Sequence, residues 1–129
     1  MAQTGLGMAL RKLRERRTLN LRELSQLSSV DHAYVHRLET GEKTNPSDEL
    51  IGKLFKVLKP TEREADILRW LAIHPEAEPE LVSFVLEDDS VNLEVFTMAA
   101  GARYRGNVRP DPATLIARVR TALKALEDE

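Results

Sequence analysis

Apolar residues along the first part of this chain recur every three or four positions, the interval that places them on one face of an α-helix. The first such segment runs from Leu6 to Leu13, and a later one runs from Leu50 to Leu58. Segments of this kind repeat up to Ile73, separated by glycine, proline or small polar residues. The pattern therefore predicts an all-α fold that begins with five short helices.

Capping residues set the expected boundaries of the second and third helices. Asn20 can accept a hydrogen bond at a helix start while Glu23 reaches back to it, which predicts a capping box. Asp31 is the expected N-cap of the third helix, and Gly41 is its expected end because glycine readily takes the left-handed conformation. Both helices are therefore short, and a tight turn joins them.

Prolines mark the later boundaries. Asn45-Pro46 predicts the start of the fourth helix, and Pro60-Thr61 predicts the start of the fifth. The stretch 74–79 holds two prolines among acidic residues and is interpreted as a linker. Three parts are thus expected: a five-helix domain over 1–73, the linker, and a smaller helical region over 80–129.

The C-terminal region carries one clear amphipathic helix. Ser90 is the expected cap of an earlier helix, and the glycine-containing stretch 101–111 is expected to be a surface loop. The apolar stripe of the last helix is predicted to form a dimer interface between two copies of the chain. Its residues are Leu115, Ile116, Val119, Leu123 and Leu126. In the alternative, this helix folds back on its own domain.

Composition narrows the functional classes. The chain has 129 residues, of which 42% are hydrophobic and 31% charged, an ordinary globular balance that argues against disorder. No apolar run approaches the ~18 residues of a membrane-spanning helix, so no membrane contact is expected. The sequence has no cysteine, which excludes disulfides and thiolate metal sites, and a cytoplasmic protein without a cofactor is expected.

Charge is distributed unevenly, although the formal net charge is only −2. Residues 1–59 carry eleven Lys or Arg against seven Asp or Glu, whereas residues 60–89 carry two against nine. Phosphate binding requires positive charge on one face rather than a basic protein as a whole. The N-terminal part can therefore approach a nucleic acid even though the whole chain is slightly acidic.

Two short helices joined by a tight turn, followed by a third that ends in Glu39-Thr40-Gly41, form the pattern of a helix-turn-helix. The stretch 20–41 resembles the λ-repressor/Cro-like family, also called the XRE family, and the likeness extends over about residues 6–73. The residues that carry it are Leu24, Val30, Val35, Leu38, Glu39, Gly41, the run Asn45-Pro46-Ser47, Leu50 and Leu58. The resemblance implies a five-helix λ-repressor-like DNA-binding domain in a transcriptional regulator. A repressor that binds a double-stranded, pseudo-palindromic operator as a homodimer is the main expectation.

The third helix is expected to enter the major groove, where its side chains read base edges. Its predicted base-reading residues are His32, Ala33, His36 and Arg37. The resemblance implies contacts to the DNA backbone from Asn20, Tyr34, Lys43, Thr44 and Asn45, of which Tyr34 is alternatively a core residue. It also implies an ion pair between Arg14 and Glu39 that fixes the third helix against the first.

Three positions depart from the family pattern. Ser29 stands in the turn where glycine is common, which implies strain or an altered turn. Leu21 replaces a glutamine that is common at the head of the second helix. Asp31 lies beside the expected phosphates, where a negative charge is unfavourable, and is better explained as a cap.

Other chemistry fits the sequence less well. His32 and His36 have the spacing of a two-histidine metal site, but Glu39 already has an expected partner in Arg14, so no metal is expected. Nothing in the sequence arranges serine, histidine and aspartate as a catalytic triad, and no glycine-rich phosphate loop is present. The protein is therefore expected not to be an enzyme.

The C-terminal tail suggests a form of regulation. The stretch 104–110 and the helix after it resemble, over few fixed positions, repressors that a partner zinc metalloprotease inactivates, which places the cleavage between Tyr104 and Arg105. Two further alternatives stay open: an antitoxin whose C-terminal region wraps a toxin, and a protein-interaction module that has lost DNA binding. Leu21, Asp31 and the net negative charge keep the last of these open.

Overall fold

The computed structural model describes residues 3–102 and 109–128. Within these ranges all regular secondary structure is helical. The helices are α1 (Gly5–Arg16), α2 (Leu21–Ser28), α3 (His32–Thr40), α4 (Asp48–Leu58), α5 (Glu62–Ala72), α6 (Pro79–Glu87), α7 (Leu93–Ala100) and α8 (Pro112–Glu127). The predicted all-α fold, with five helices before a smaller helical region, is confirmed. In the described residues, no helix combines the length and the apolar character needed to cross a bilayer.

Local capping explains the starts of most helices. The predicted capping box of α2 is present, because Asn20 Oδ1 accepts from the Glu23 amide at 2.8 Å and Glu23 Oε1 accepts from the Asn20 amide at 3.0 Å. A second capping box joins Thr61 and Glu64 at the start of α5. Asp31 occupies the N-cap position of α3, but its side chain makes no capping hydrogen bond, which corrects the role expected for it.

Two predicted helix starts are wrong by a few residues. Pro46 lies two residues before α4 and is buried, and Ser47 is the N-cap, its hydroxyl accepting from the Leu50 amide at 3.2 Å. Ser90 does not cap α7, because its hydroxyl donates to Asp88 Oδ1 at 2.6 Å within a turn. Asn92 caps that helix instead, since its side chain satisfies an amide of the first turn.

The helices before and after residues 74–79 share one hydrophobic core. Leu6 and Leu13 of α1 and Leu68 of α5 belong to the same buried cluster as Val82 of α6 and Phe96 of α7. Helix α1 packs against α3, α5 and α6. Packing against α1 thus joins the first five helices to the helices after residues 74–79. The predicted division at this stretch stays a prediction.

The apolar stripe of α8 is covered by its own chain over the first half of the helix. Leu115, Ile116 and Val119 are at most 7% exposed and lie in the core with α6 and α7. Their assignment to a dimer surface is therefore corrected, because burial inside one chain leaves them unavailable to a second copy. Leu123 is half-buried and Leu126 is 63% exposed, so the apolar stripe continues past the part of α8 that α6 and α7 cover.

Tyr104 and Arg105, the residues of the predicted cleavage, lie outside the described residues.

Candidate nucleic-acid interface

Helix α3 exposes one face and buries the other. Val35 and Leu38 are fully buried, whereas the side chains of His32 and Arg37 are 52% and 48% exposed, and His36 is exposed as well. A helix can enter the major groove only with its reading side chains free of the protein core. Three of the four predicted base-reading side chains are therefore exposed to solvent, and the fourth, Ala33, is partly exposed.

The turn between α2 and α3 is fixed by local hydrogen bonds. Ser29 has a left-handed backbone with φ 63°, a conformation that costs a non-glycine residue some energy. Its amide donates to the Ser25 carbonyl at 2.9 Å, and the hydroxyl of buried Ser28 accepts from the Val30 amide at 3.2 Å. Ser29 is thus accommodated in the left-handed region, in a turn where the sequence resemblance leads one to expect glycine.

An ion pair holds the C-terminal end of α3 against α1. The Arg14 guanidinium donates to both carboxylate oxygens of Glu39, at 2.8 and 2.9 Å, and also to the Leu19 carbonyl at 2.9 Å. Glu39 is only 5% exposed, and its carboxylate raises the pKa of Arg14 above the ordinary value. Because both oxygens of Glu39 are bound by Arg14, this carboxylate is not available to complete a metal site with His32 and His36.

A close backbone contact also determines the position of α3. Gly7 of α1 is buried against the last turn of α3, where a Cβ atom would lie 2.4 Å from the Leu38 carbonyl oxygen and 2.6 Å from that of Glu39. Only glycine lets the two helices approach this closely. The position of α3 is therefore fixed by a backbone contact and a buried ion pair, both made with α1.

Four of the five predicted backbone-contacting residues are exposed. Asn20 is exposed, and with Oδ1 used in the capping box its side-chain NH2 group remains as the donor. Lys43 and Thr44 are exposed, and the Lys43 amide donates to the Arg37 carbonyl at 3.0 Å, which ties this loop to α3. Asn45 is exposed with a left-handed backbone at φ 54°.

Tyr34 and Leu21 are partly withdrawn from the exposed face. Both are half-buried and pack against the core, and Tyr34 lines a concavity between the α2–α3 turn and α4. This packing supports the core alternative for Tyr34.

Two carboxylates lie near the reading side chains. The Asp31 side chain is 71% exposed and comes within 4.0 Å of His32 Nδ1, and Glu42 lies 3.9 Å from Arg37 Nε. An exposed ion pair of this length contributes little energy, so Arg37 can exchange Glu42 for another anion.

Sequence reasoning missed polar residues on α2 that adjoin the reading helix. Arg22, Ser25 and Gln26 line a shallow concavity of about 270 Å³ together with His32. The signal was present, because positions 22 and 26 are four apart and share a helix face, and both are polar beside apolar Leu24.

Comparison with known protein families agrees with this geometry. Residues 6–68 match the family model described as a helix-turn-helix domain. Over these residues the chain is similar to helix-turn-helix domains. The match spans α1 to α4 and the first part of α5, and it supports a DNA-binding regulator. No curated protein matches the chain.

Proposed function

We propose that this protein is a sequence-specific transcriptional regulator of the λ-repressor/Cro-like type that inserts α3 into the major groove of an operator. The observation that carries the proposal is the exposed face of His32, His36 and Arg37 on a helix whose opposite face is fully buried. The helix-turn-helix match over residues 6–68 supports it independently. No step of this function requires catalysis, and an enzymatic activity is not part of the proposal.

Base reading is assigned to the exposed face of α3. Arg37 can donate two hydrogen bonds to O6 and N7 of guanine, the commonest specific contact in the major groove. The weak contact with Glu42 leaves the guanidinium free to do so. His32 can donate to a base acceptor or a phosphate, and Ala33 can contact a thymine methyl group.

Contacts to phosphates would hold the domain in register on the duplex. The NH2 group of Asn20 and the ammonium group of Lys43 are exposed donors next to the reading helix, and Thr44 and Asn45 extend the same loop. Such contacts supply affinity without sequence information. The basic balance of residues 1–59 agrees with this role.

Repression by a dimer is the finer part of the proposal. One small reading head gives limited affinity, and two heads related by a two-fold axis bind half-sites about one helical turn apart. The exposed end of the α8 stripe, with Leu126 at 63% exposure and Ala122 one turn before it, is the surface assigned to the second copy. A dimer bound over a promoter would exclude polymerase from cytoplasmic DNA.

Selection of bound duplexes from a random DNA pool tests the function directly. We expect enrichment of a two-fold symmetric sequence with guanine at a fixed position of each half-site. Arg37→Ala should lose about 1–3 kcal/mol of binding free energy and relax specificity at that position only. Arg69→Ala on α5, also an exposed arginine, lies outside the assigned DNA and dimer surfaces and should bind like wild type. Absence of any enriched sequence from a protein with a native helical spectrum would contradict the proposal.

Sedimentation tests the dimer separately. Leu126→Glu should give a monomer at concentrations where the wild type is a dimer, because it places a charge in the assigned surface. Ile73→Glu is the control, since Ile73 is an equally exposed aliphatic residue at 71%. A monomeric wild type at tens of micromolar chain, or a dimer that survives Leu126→Glu, would contradict the assigned surface.

A further inference from the structure

The outer face of α2 carries an arginine whose side chain is free to bind an anion. Arg22 is exposed and has neither an ion pair nor a hydrogen-bond partner for its guanidinium within the described residues. The nearest acid along the chain, Glu23, is engaged by the Asn20 amide in the capping box. The positive charge of Arg22 is therefore not used inside the molecule.

Three further polar side chains surround this arginine. Arg22, Ser25 and Gln26 of α2 line one shallow concavity of about 270 Å³ with His32, the first residue of α3. All of them can donate hydrogen bonds, and an arginine with an amide and a hydroxyl is a usual combination for phosphate oxygens. The concavity thus presents converging donors at the edge of the reading face.

The position of this concavity relative to α3 indicates which anion it would bind. His32 belongs both to the concavity and to the proposed base-reading face, so an anion bound there lies beside the N-terminal end of α3. The loop of Lys43 follows the opposite end of the same helix. A helix that lies in a major groove has backbone phosphates beyond its reading face, and donors at both ends would engage them.

We infer that Arg22, with Ser25 and Gln26, binds a backbone phosphodiester of the operator and extends the DNA contact beyond the residues expected from the family resemblance. This inference rests on the proposed function, since it requires α3 to lie in the groove. The contact would add affinity and salt dependence without reading a base. Asp31, 71% exposed and near His32, is the carboxylate that opposes it.

Binding to a random-sequence duplex as a function of chloride concentration tests the inference without knowledge of the operator. Arg22→Ala should weaken binding about five- to tenfold near 0.1 M salt and lower the slope of log K against log salt by about 0.9, the value for one phosphate contact. Arg22→Lys should retain most of the affinity, because a point charge suffices for a phosphate. Arg69→Ala on α5 is the control for removal of an exposed arginine outside the assigned DNA and dimer surfaces, and it should leave affinity and slope unchanged.

The outcomes separate this inference from the proposed function. If the wild type binds and Arg22→Ala has the same affinity and slope, the phosphate contact is wrong and the function stands. If Arg22→Ala weakens binding to one selected sequence but not to random duplexes, Arg22 reads a base and the inference is also overturned. If the wild type binds no duplex at all, the proposed function and the inference both fail. Melting temperatures of the two Arg22 variants should equal that of the wild type, because Arg22 has no partner to lose.

Discussion

The guanidinium of Arg14 in α1 and the carboxylate of Glu39 in α3 meet through two parallel hydrogen bonds of 2.8 and 2.9 Å, although 25 residues separate them in the chain. The Glu39 side chain is 6% exposed and the Arg14 side chain 13% exposed. The pair is therefore withdrawn from water at the C-terminal end of α3. Burial of two charges is tolerated only when each one finds its partner.

Removal of one member of this pair should be costly. We expect Glu39→Gln to lower the free energy of unfolding by about 3 kcal/mol, because it leaves a partly buried guanidinium without a counter-charge. Urea denaturation measures the loss of stability. DNA affinity should also fall, because α3 is no longer held in place against α1. Glu15→Gln is the control, since the exposed Arg11–Glu15 pair should contribute less than about 0.5 kcal/mol. Equal losses in the two variants would show that the buried pair has no special role.

Gly7 offers a second test of how α3 is seated. Alanine favours helices by about 1 kcal/mol over glycine, so Gly52→Ala should stabilise the protein by up to that amount, since nothing lies within 4 Å of its added Cβ. Gly7→Ala should instead destabilise by about 2 kcal/mol or more, because its Cβ would lie 2.4 Å from the Leu38 carbonyl oxygen. Thermal melts of the two variants give shifts of opposite sign. A stabilising Gly7→Ala would mean that α1 and α3 are not in backbone contact.

Local chemistry explains which parts of the fold the sequence could predict. The capping box of Asn20 and Glu23 requires only neighbouring residues, and it is present as expected. Ser90 and Asn92 could each cap α7, and capping propensity does not distinguish them. The Ser90 hydroxyl bonds to Asp88 instead, which leaves Asn92 as the N-cap. The periodicity of α8 identified its apolar face but not the surface that covers Leu115, because coverage depends on tertiary packing.

Pairs that are distant in the chain were predictable only through the family resemblance. Arg14 and Glu39 occupy positions that the resemblance connects, whereas Arg16 and Glu64, 48 residues apart, were assigned no partner from the sequence. Yet Arg16 donates to both oxygens of Glu64, at 2.8 and 2.9 Å. Composition and periodicity contain no information on such a contact, because it arises only when α1 and α5 pack together.

The Arg16–Glu64 pair makes the free energy of unfolding depend on pH in the acidic range. Hydrogen bonds from Arg16, with a further one from Thr61, lower the pKa of Glu64 from 4.5 to about 2. A carboxyl group whose pKa is lower in the folded protein than in the unfolded chain stabilises the fold while it is ionised. This contribution is complete above the unfolded pKa of 4.5 and is lost as the pH falls towards the folded pKa of about 2. Because Arg16 is 47% exposed, we expect a contribution on the order of 2 kcal/mol.

Comparison of Glu64→Gln with wild type isolates this contribution. Glutamine keeps the capping box of α5 but carries no charge, and it resembles the protonated glutamic acid. The difference in free energy of unfolding between the two proteins should be present at pH 7 and should shrink between pH 4.5 and pH 2. Urea titrations across this range measure it. A difference that persists undiminished at pH 2 would assign the effect of the substitution to something other than charge.

Asp31 is expected to reduce DNA affinity without helping the fold. Its side chain is 71% exposed and makes no capping hydrogen bond, so Asp31→Asn should leave the melting temperature nearly unchanged. Removal of a negative charge beside the phosphates should tighten binding to all duplexes about three- to tenfold at low salt, with the gain decreasing as salt rises. Asp128→Asn, at the exposed end of α8, should change nothing and serves as the control. Unchanged affinity in Asp31→Asn would place the DNA away from the start of α3 and would contradict the docking of this helix by its N-terminal end.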